Sequence, residues 1–213
     1  YIVRGGPGTG KSVVAINLLA ECIHNGYMAQ YITSNAAPRN VYSTMLQKGF
    51  KKTDIKALFQ SSGTFHTRKK NELQIAIVDE AHRLRKKSGM FQNQGEDQIK
   101  EIINASLFSV FFIDRNQRVT FNDAGTIDKI RNFAQEQNSL IYEGVLESQF
   151  RCNGSDGYLA WLDNVLQIAE TANYDGFEGD YDFKIFDNPH EMYDAIKAKN
   201  EINNKSRVLA GYC

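Results

Sequence analysis

The chain is expected to fold as an α/β domain with a parallel sheet carrying helices on both faces, followed by the start of a second α/β lobe. Short apolar runs alternate with helix-period stretches, which is the pattern of βαβ units. A glycine-rich loop joins the first run to the first helix, and a later run ends in the paired acids Asp79-Glu80. Both features belong at the carboxyl edge of a parallel sheet, where such folds place their sites.

The expected strands are Tyr1 to Val3, Met28 to Thr33, Ile75 to Asp79, Leu107 to Asp114 and Leu140 to Leu146. Lys11 to His24 carries a stripe of Val14, Leu18, Leu19 and Cys22, with Asn25-Gly26 as its stop, so it reads as the first helix. Pro38 to Gln47 and Gln98 to Asn104 read as further helices. Residues 49 to 74 are basic, polar and weakly periodic, and are expected to be irregular. Residues 85 to 97 read as a polar loop. A helix from Tyr158 to Ala172 should follow the fifth strand, then a Gly- and Asp-rich connection, a strand at Asp182 to Phe186, a helix at Pro189 to Lys199 and a strand at Arg207 to Cys213. The expected division is therefore a main domain over 1–172, a connection over 173–181 and a truncated second lobe over 182–213. Strands at both ends with no covering helix beyond them suggest an excised fragment.

Lys+Arg and Asp+Glu are each 25 in 213 residues, so the net charge is zero, and a nucleic-acid contact would rest on a local patch instead of a global positive field. Cys22, Cys152 and Cys213 are odd in number and lack a CxxC pair, which argues against a disulfide framework or a zinc site and suits a reducing, cytoplasmic setting. No apolar run approaches the ~20 residues of a membrane span, so no membrane partner is expected.

Gly5-Gly6-Pro7-Gly8-Thr9-Gly10-Lys11-Ser12 matches G-x-x-x-x-G-K-[ST] between a strand and a helix, the context that the Walker A phosphate loop requires. Its glycines let backbone N–H groups turn toward a phosphate, and the helix N-terminus, including Val13, adds positive potential. Lys11 would reach the terminal phosphates of ATP, and the Ser12 hydroxyl would ligate Mg²⁺. Leu73 to Asp79 is apolar apart from Gln74 and delivers Asp79 and Glu80 to the same edge, as a Walker B strand would. Asp79 suits a second Mg²⁺ contact and Glu80 the polarisation of an attacking water. His82 would either couple this site to a neighbouring segment or cap and pack.

Four segments carry a resemblance: residues 5–12, Asp-Glu-Ala-His-Arg-Leu at 79–84, Phe-Phe-Ile-Asp-Arg-Asn-Gln-Arg at 111–118, and Leu-Glu-Ser-Gln-Phe-Arg-Cys at 146–152. Together they resemble a superfamily 1 helicase-type ATPase, and most closely the Schlafen group 3-like DNA/RNA helicase family. The last two discriminate, because Asp-x-x-Gln followed by Gln-Phe-Arg resembles motifs III and IV of that superfamily. The resemblance implies a RecA-like P-loop NTPase fold and Mg²⁺-dependent ATP hydrolysis driving action on DNA or RNA. Gln117 would then sense the γ-phosphate or lytic water, Asp114 would orient that network, and Arg151 would act as an arginine finger.

The same resemblance points to single-stranded or duplex nucleic acid as a partner. Ser34 and Asn35 match the position of motif Ia, and Thr64 and His66 its Thr-x-His segment, with Arg39, Arg68, Lys69 and Lys70 as nearby cations. The alternative for the cations is a solvated face, with Phe65 in the core. Tyr27, Phe91 and Trp161 read as core or interface residues instead of stacking platforms. A second arginine and a complete second lobe are missing from this stretch, so nucleotide binding and weak hydrolysis are expected of it, without unwinding. The competing reading is a nucleotide-switched ATPase that regulates contacts with protein partners without translocating. A small-molecule kinase is a weaker third, since Glu80 is placed for water activation.

Overall fold

In the computed structural model, residues 1–46, 52–89, 91–117, 120, 122–148, 156–171 and 183–209 are described. The chain divides into two compact units, Tyr1–Asp156 and Gly157–Cys213.

The first unit is built on β1 (Ile2–Gly5), β2 (Ala29–Thr33), β3 (Phe59–Ser61), β4 (Leu73–Val78), β5 (Ser106–Ile113) and β6 (Glu143–Leu146). They form one six-stranded sheet in the order β3-β2-β4-β5-β1-β6, and every pairing is parallel. Because side chains alternate along a strand, each of the four inner strands feeds both faces. Ile2, Ile32, Ala76, Val78, Phe111 and Ile113 join one core cluster, whereas Val3, Tyr31, Ile77, Val110 and Phe112 join the other. The second cluster is closed by α1 (Lys11–His24), α2 (Ala36–Leu46) and α3 (Lys52–Leu58), through Ala15, Leu19, Tyr42 and Ile55. The first is closed by α4 (Gln98–Ala105) and α5 (Ile127–Glu136), through Ile99, Ile102, Ile103 and Ile130. This is the RecA-like α/β arrangement, with helices on both faces.

α1 occupies the predicted residues. Gly10 takes a left-handed conformation (φ 82°) as its N-cap, a backbone state that glycine adopts without a Cβ penalty. Lys11, Ala15, Leu19 and Cys22 form its buried stripe, and Asn25 closes it by donating its N–H to the Glu21 carbonyl.

Two stretches depart from expectation. Residues 49–74 are not irregular throughout: they contain α3, the edge strand β3 and a 3-10 turn over Ser62–Thr67. Ile55, Phe59 and Phe65 are buried there, each in a different short element, so no single period spans the stretch. α5, to which no element was assigned, is capped by Thr126, whose side chain accepts from the Lys129 N–H.

The second unit holds α6 (Asp156–Val165) from its second residue onward, and α7 (Pro189–Asn203). Trp161 is buried, with its ring edge-on to Phe183 at 4.8 Å between centroids. α7 starts as predicted at Pro189, behind the Asn188 cap, but runs beyond Lys199 to Asn203. The strands expected at 182–186 and 207–213 are not formed by residues 183–186 and 207–209. An extended segment needs a ladder partner, and no strand of this unit is present among the described residues; Ile185 and Leu209 are accordingly exposed.

Candidate functional site

The strand order decides what meets at the carboxyl edge. β5 lies between β4 and β1, with Val78 opposite Phe111 and Val3 opposite Phe112. The loop after β1, the acids after β4 and the residues after β5 therefore leave the sheet side by side. They line one cavity of about 610 Å³ formed by Pro7 to Val14, Asp79, Glu80 and Gln117. That volume lies within the range of small-molecule sites.

In the loop, the Lys11 ammonium donates to the carbonyls of Gly5 (2.8 Å) and Gly6 (2.6 Å). It also lies 3.5 Å from Asp114 Oδ2, an ion pair in which both side chains are almost wholly buried. Asp114 Oδ2 nevertheless has no hydrogen-bond partner among the described residues. Attraction to Lys11 is present, while two of the ammonium's short hydrogen bonds go to the loop carbonyls.

Asp79 is 1% exposed and receives three donors. Its Oδ2 accepts from Ser12 Oγ (2.6 Å) and from the Tyr31 hydroxyl (2.6 Å), and its Oδ1 accepts from the Glu80 N–H (2.9 Å). Glu80 then turns out of the strand in a left-handed conformation (φ 52°), which costs a non-glycine residue about 1–2 kcal/mol. That turn directs the chain into a 3-10 turn over Ala81–Arg83. Glu80 Oε2 is shielded from solvent and has no hydrogen-bond partner among the described residues.

Ser12 Oγ and the Asp79 carboxylate offer adjacent hard oxygen ligands. No group of three or more His, Cys, Asp or Glu side chains able to hold a metal is present among the described residues. This donor set fits Mg²⁺, which keeps several waters and takes one or two protein oxygens plus phosphate oxygens.

His82, 2% exposed, accepts from the Asp114 N–H at its Nδ1 (3.3 Å). Burial lowers its pKa below the ordinary histidine value, with the Asp114 charge opposing the shift. A neutral ring with a free Nδ1 lone pair is what that hydrogen bond requires. Asp114 Oδ1 in turn accepts from the Asn116 N–H (3.0 Å), ordering the approach to Gln117. Tyr31 was missed by sequence reasoning. Nothing near it in sequence signals the role, because its partner is 48 residues away and is reached only through the β2–β4 pairing.

The expected nucleic-acid residues lie at the ends of β2 and β3. Ser34 Oγ lies 3.0 Å from Ser62 Oγ and 3.2 Å from the Arg83 carbonyl, so the turn after Asp79-Glu80 touches the end of β2. The Asn35 side chain caps α2 by accepting from the Ala37 N–H, and Thr64 donates locally to the Ser61 carbonyl. His66 Nδ1 donates to the Gly63 carbonyl (2.9 Å). Phe65 is buried, with the Arg68 guanidinium over its ring at 4.9 Å, while Lys69 and Lys70 are exposed. Tyr27 and Phe91 are not core residues: they are 54% and 81% exposed, whereas Trp161 is buried. Gln149, Phe150 and Arg151 lie outside the described residues.

No helix among the described residues is long and apolar enough to cross a membrane. The chain is similar to a protein of Saccharomyces cerevisiae, YPL245W, at 23% identity over 247 aligned positions, which cover all of this chain and 54% of that protein. It thus spans about half the length of the curated relative that it matches. Among solved structures it is similar to AMPPCP-bound DnaA from Aquifex aeolicus, with a TM-score of 0.30 and 12% identity over 96% of this chain and 55% of that one. The family model described as Schlafen group 3, DNA/RNA helicase domain, matches residues 1–213, and the chain belongs to that family.

Proposed function

We propose that this domain binds ATP with Mg²⁺ in the cavity at the carboxyl edge and hydrolyses it, as the ATPase part of a superfamily 1 helicase-like motor acting on DNA or RNA. The observation that carries the reading is the convergence of Lys11, Ser12, Asp79, Glu80 and Gln117 on one cavity. Ser12 and Asp79 would hold the metal, whose chemistry is to neutralise charge on the β- and γ-phosphates. Backbone N–H groups of the loop would cradle the phosphates, and Lys11 would exchange its contacts with the Gly5 and Gly6 carbonyls for phosphate oxygens. Glu80 Oε2, shielded and without a donor among the described residues, suits acceptance of a proton from the attacking water. Gln117 would orient that water or the γ-phosphate, with Asp114 holding the segment before it. Arg151 takes the arginine-finger role in this reading. Ser34, Asn35, Thr64 and His66 would contact the nucleic-acid strand, and unwinding would belong to the longer protein.

The test is ATP turnover by the purified protein with and without Mg²⁺, single-stranded DNA and single-stranded RNA. Mg²⁺-dependent turnover that rises with either strand is expected. Failure to bind Mg²⁺-ATP sinks the enzymatic reading. Turnover that ignores both strands removes the nucleic-acid part and leaves an ATPase that acts through protein contacts.

A further inference from the structure

The loop over residues 85–97 follows the acid pair and its 3-10 turn, yet none of its described side chains lines the nucleotide cavity. It has an ordered base. Ser88 and Gln94 exchange backbone hydrogen bonds (2.8 and 3.1 Å), which leaves Gly89 and Phe91 to Asn93 standing out from that base. Gln98 fastens the base to α4, accepting from the Arg85 N–H and donating to Ser88 Oγ, each at 3.0 Å.

Phe91 is 81% exposed on this platform, and Arg85, Lys86 and Lys87, which lead into it, are exposed as well. Gln92, Asn93 and Gln94 follow it, also exposed. Of the carboxylates beside the loop, Glu96 pairs with Lys100 and Asp97 with Lys129, Glu101 accepts from the Glu96 N–H, and Asp123 shares a cleft with Lys86 and Gln92. A protein-docking surface would gather several apolar side chains, whereas the sequence of this segment supplies one ring and one methionine among three cations and three amides. That composition matches base stacking with phosphate attraction, the mode of single-strand binding.

The loop also adjoins the 3-10 turn over Ser62–Thr67, which carries Thr64 and His66. A Cβ on Gly95 would lie 2.9 Å from His66 Cβ, and one on Gly63 would lie 3.7 Å from Ser88 Oγ. Loop and turn are thus one continuous surface.

We infer that this loop grips single-stranded nucleic acid, with the Phe91 ring stacking on a base and Lys86 and Lys87 drawing the neighbouring phosphates, an inference that rests on the nucleic-acid reading above. The stacked base contributes affinity with little sequence preference, because every base has a π-face. The cations contribute the salt-dependent part.

Anisotropy of fluorescein-labelled oligo(dT) and oligo(U) with the full chain, at several salt concentrations, tests it. Phe91→Ala is expected to weaken binding about tenfold with the salt slope unchanged, and Phe91→Trp to restore it. The double variant Lys86→Gln/Lys87→Gln should reduce the slope of log K against log salt by roughly one to one and a half. Phe91 is exposed, so its removal should leave the melting temperature in place. Equal affinity of the wild type and Phe91→Ala overturns the inference and leaves the nucleic-acid reading standing. A wild type that turns over ATP but binds neither oligonucleotide removes both.

Discussion

The Tyr31 hydroxyl and Asp79 Oδ2 lie 2.6 Å apart, so a fully buried ring on β2 holds the carboxylate that Ser12 holds from α1. Tyr31 pairs with Ile77 on β4, and Asp79 follows two residues on, on the same face of the sheet. Tyr31 therefore acts on the proposed metal site through Asp79, as a positioning residue. Tyr31→Phe keeps the ring's packing and deletes one donor to a buried charged group, a loss of about 1.5–3 kcal/mol. A lower melting temperature is expected, together with a several-fold higher Mg²⁺ concentration for half-maximal binding of a fluorescent ATP analogue and no change in metal-free binding. An unchanged Mg²⁺ midpoint would reduce the hydroxyl to a satisfied core group.

Lys11 and Glu80 should separate in their effects. Lys11→Ala removes the cation at the loop and leaves Asp114 buried without its ion-pair partner, so tight nucleotide binding is expected to vanish. Glu80→Gln keeps the shape of the side chain and removes its basicity, so ATP should still bind while turnover falls by 10²-fold or more, the usual scale for a general base. Binding titrations beside single-turnover measurements check this. Equal loss of binding in both variants would mean that the roles are not divided in this way.

Legibility followed the range of the interactions. The bounds of α1 were readable because its helical spacing and its Asn25-Gly26 stop are local, but of the expected stripe only Leu19 and Cys22 are buried, Leu18 is partly buried and Val14 is exposed. The phosphate loop and the acid pair were readable as motifs, and their meeting was implied by parallel strands sharing one carboxyl edge. β3 was hidden because Phe59 supplies it with one buried side chain in a three-residue strand, too short to show a period. α5 was overlooked although Ile127, Ile130, Phe133 and Ala134 form a helical stripe behind Thr126; the signal was present and local. The Tyr31–Asp79 contact and the Ser34–Arg83 contact depend on strand order and register, which no local pattern encodes.

Gly125 should not tolerate a methyl group. A Cβ there would lie 1.8 Å from the Ala81 carbonyl oxygen, and backbone cannot swing aside as a flexible side chain can. The neighbouring Ala124 N–H donates to the Leu84 carbonyl (2.7 Å), so this segment buttresses the turn that follows Asp79-Glu80. Gly125→Ala is expected to cost about 1–3 kcal/mol through overpacking and to lower the melting temperature by several degrees. Because the displaced turn begins at Glu80, turnover should fall more than nucleotide affinity. Calorimetry together with ATP binding and turnover reads both effects, and a variant with wild-type melting would place the segment elsewhere.

His82 should make the fold acid-sensitive. Its ring is buried beside the end of β5, with Asp114 and Asp123 favouring its protonation and Lys11 and Arg83 opposing it. Burial prevails and the folded-state pKa lies below the ordinary value of 6.5, so the unfolded chain takes up the proton first as pH falls. The stability contributed by the neutral ring is present above 6.5 and is lost as pH drops from there toward the lower folded-state pKa. His82→Gln retains an acceptor for the Asp114 N–H and cannot titrate in this window, so its melting temperature should change less than that of the wild type between about pH 7.5 and about pH 5.5. If both proteins lose stability in parallel over that interval, the acid sensitivity resides in other groups and the His82–Asp114 contact is structural alone.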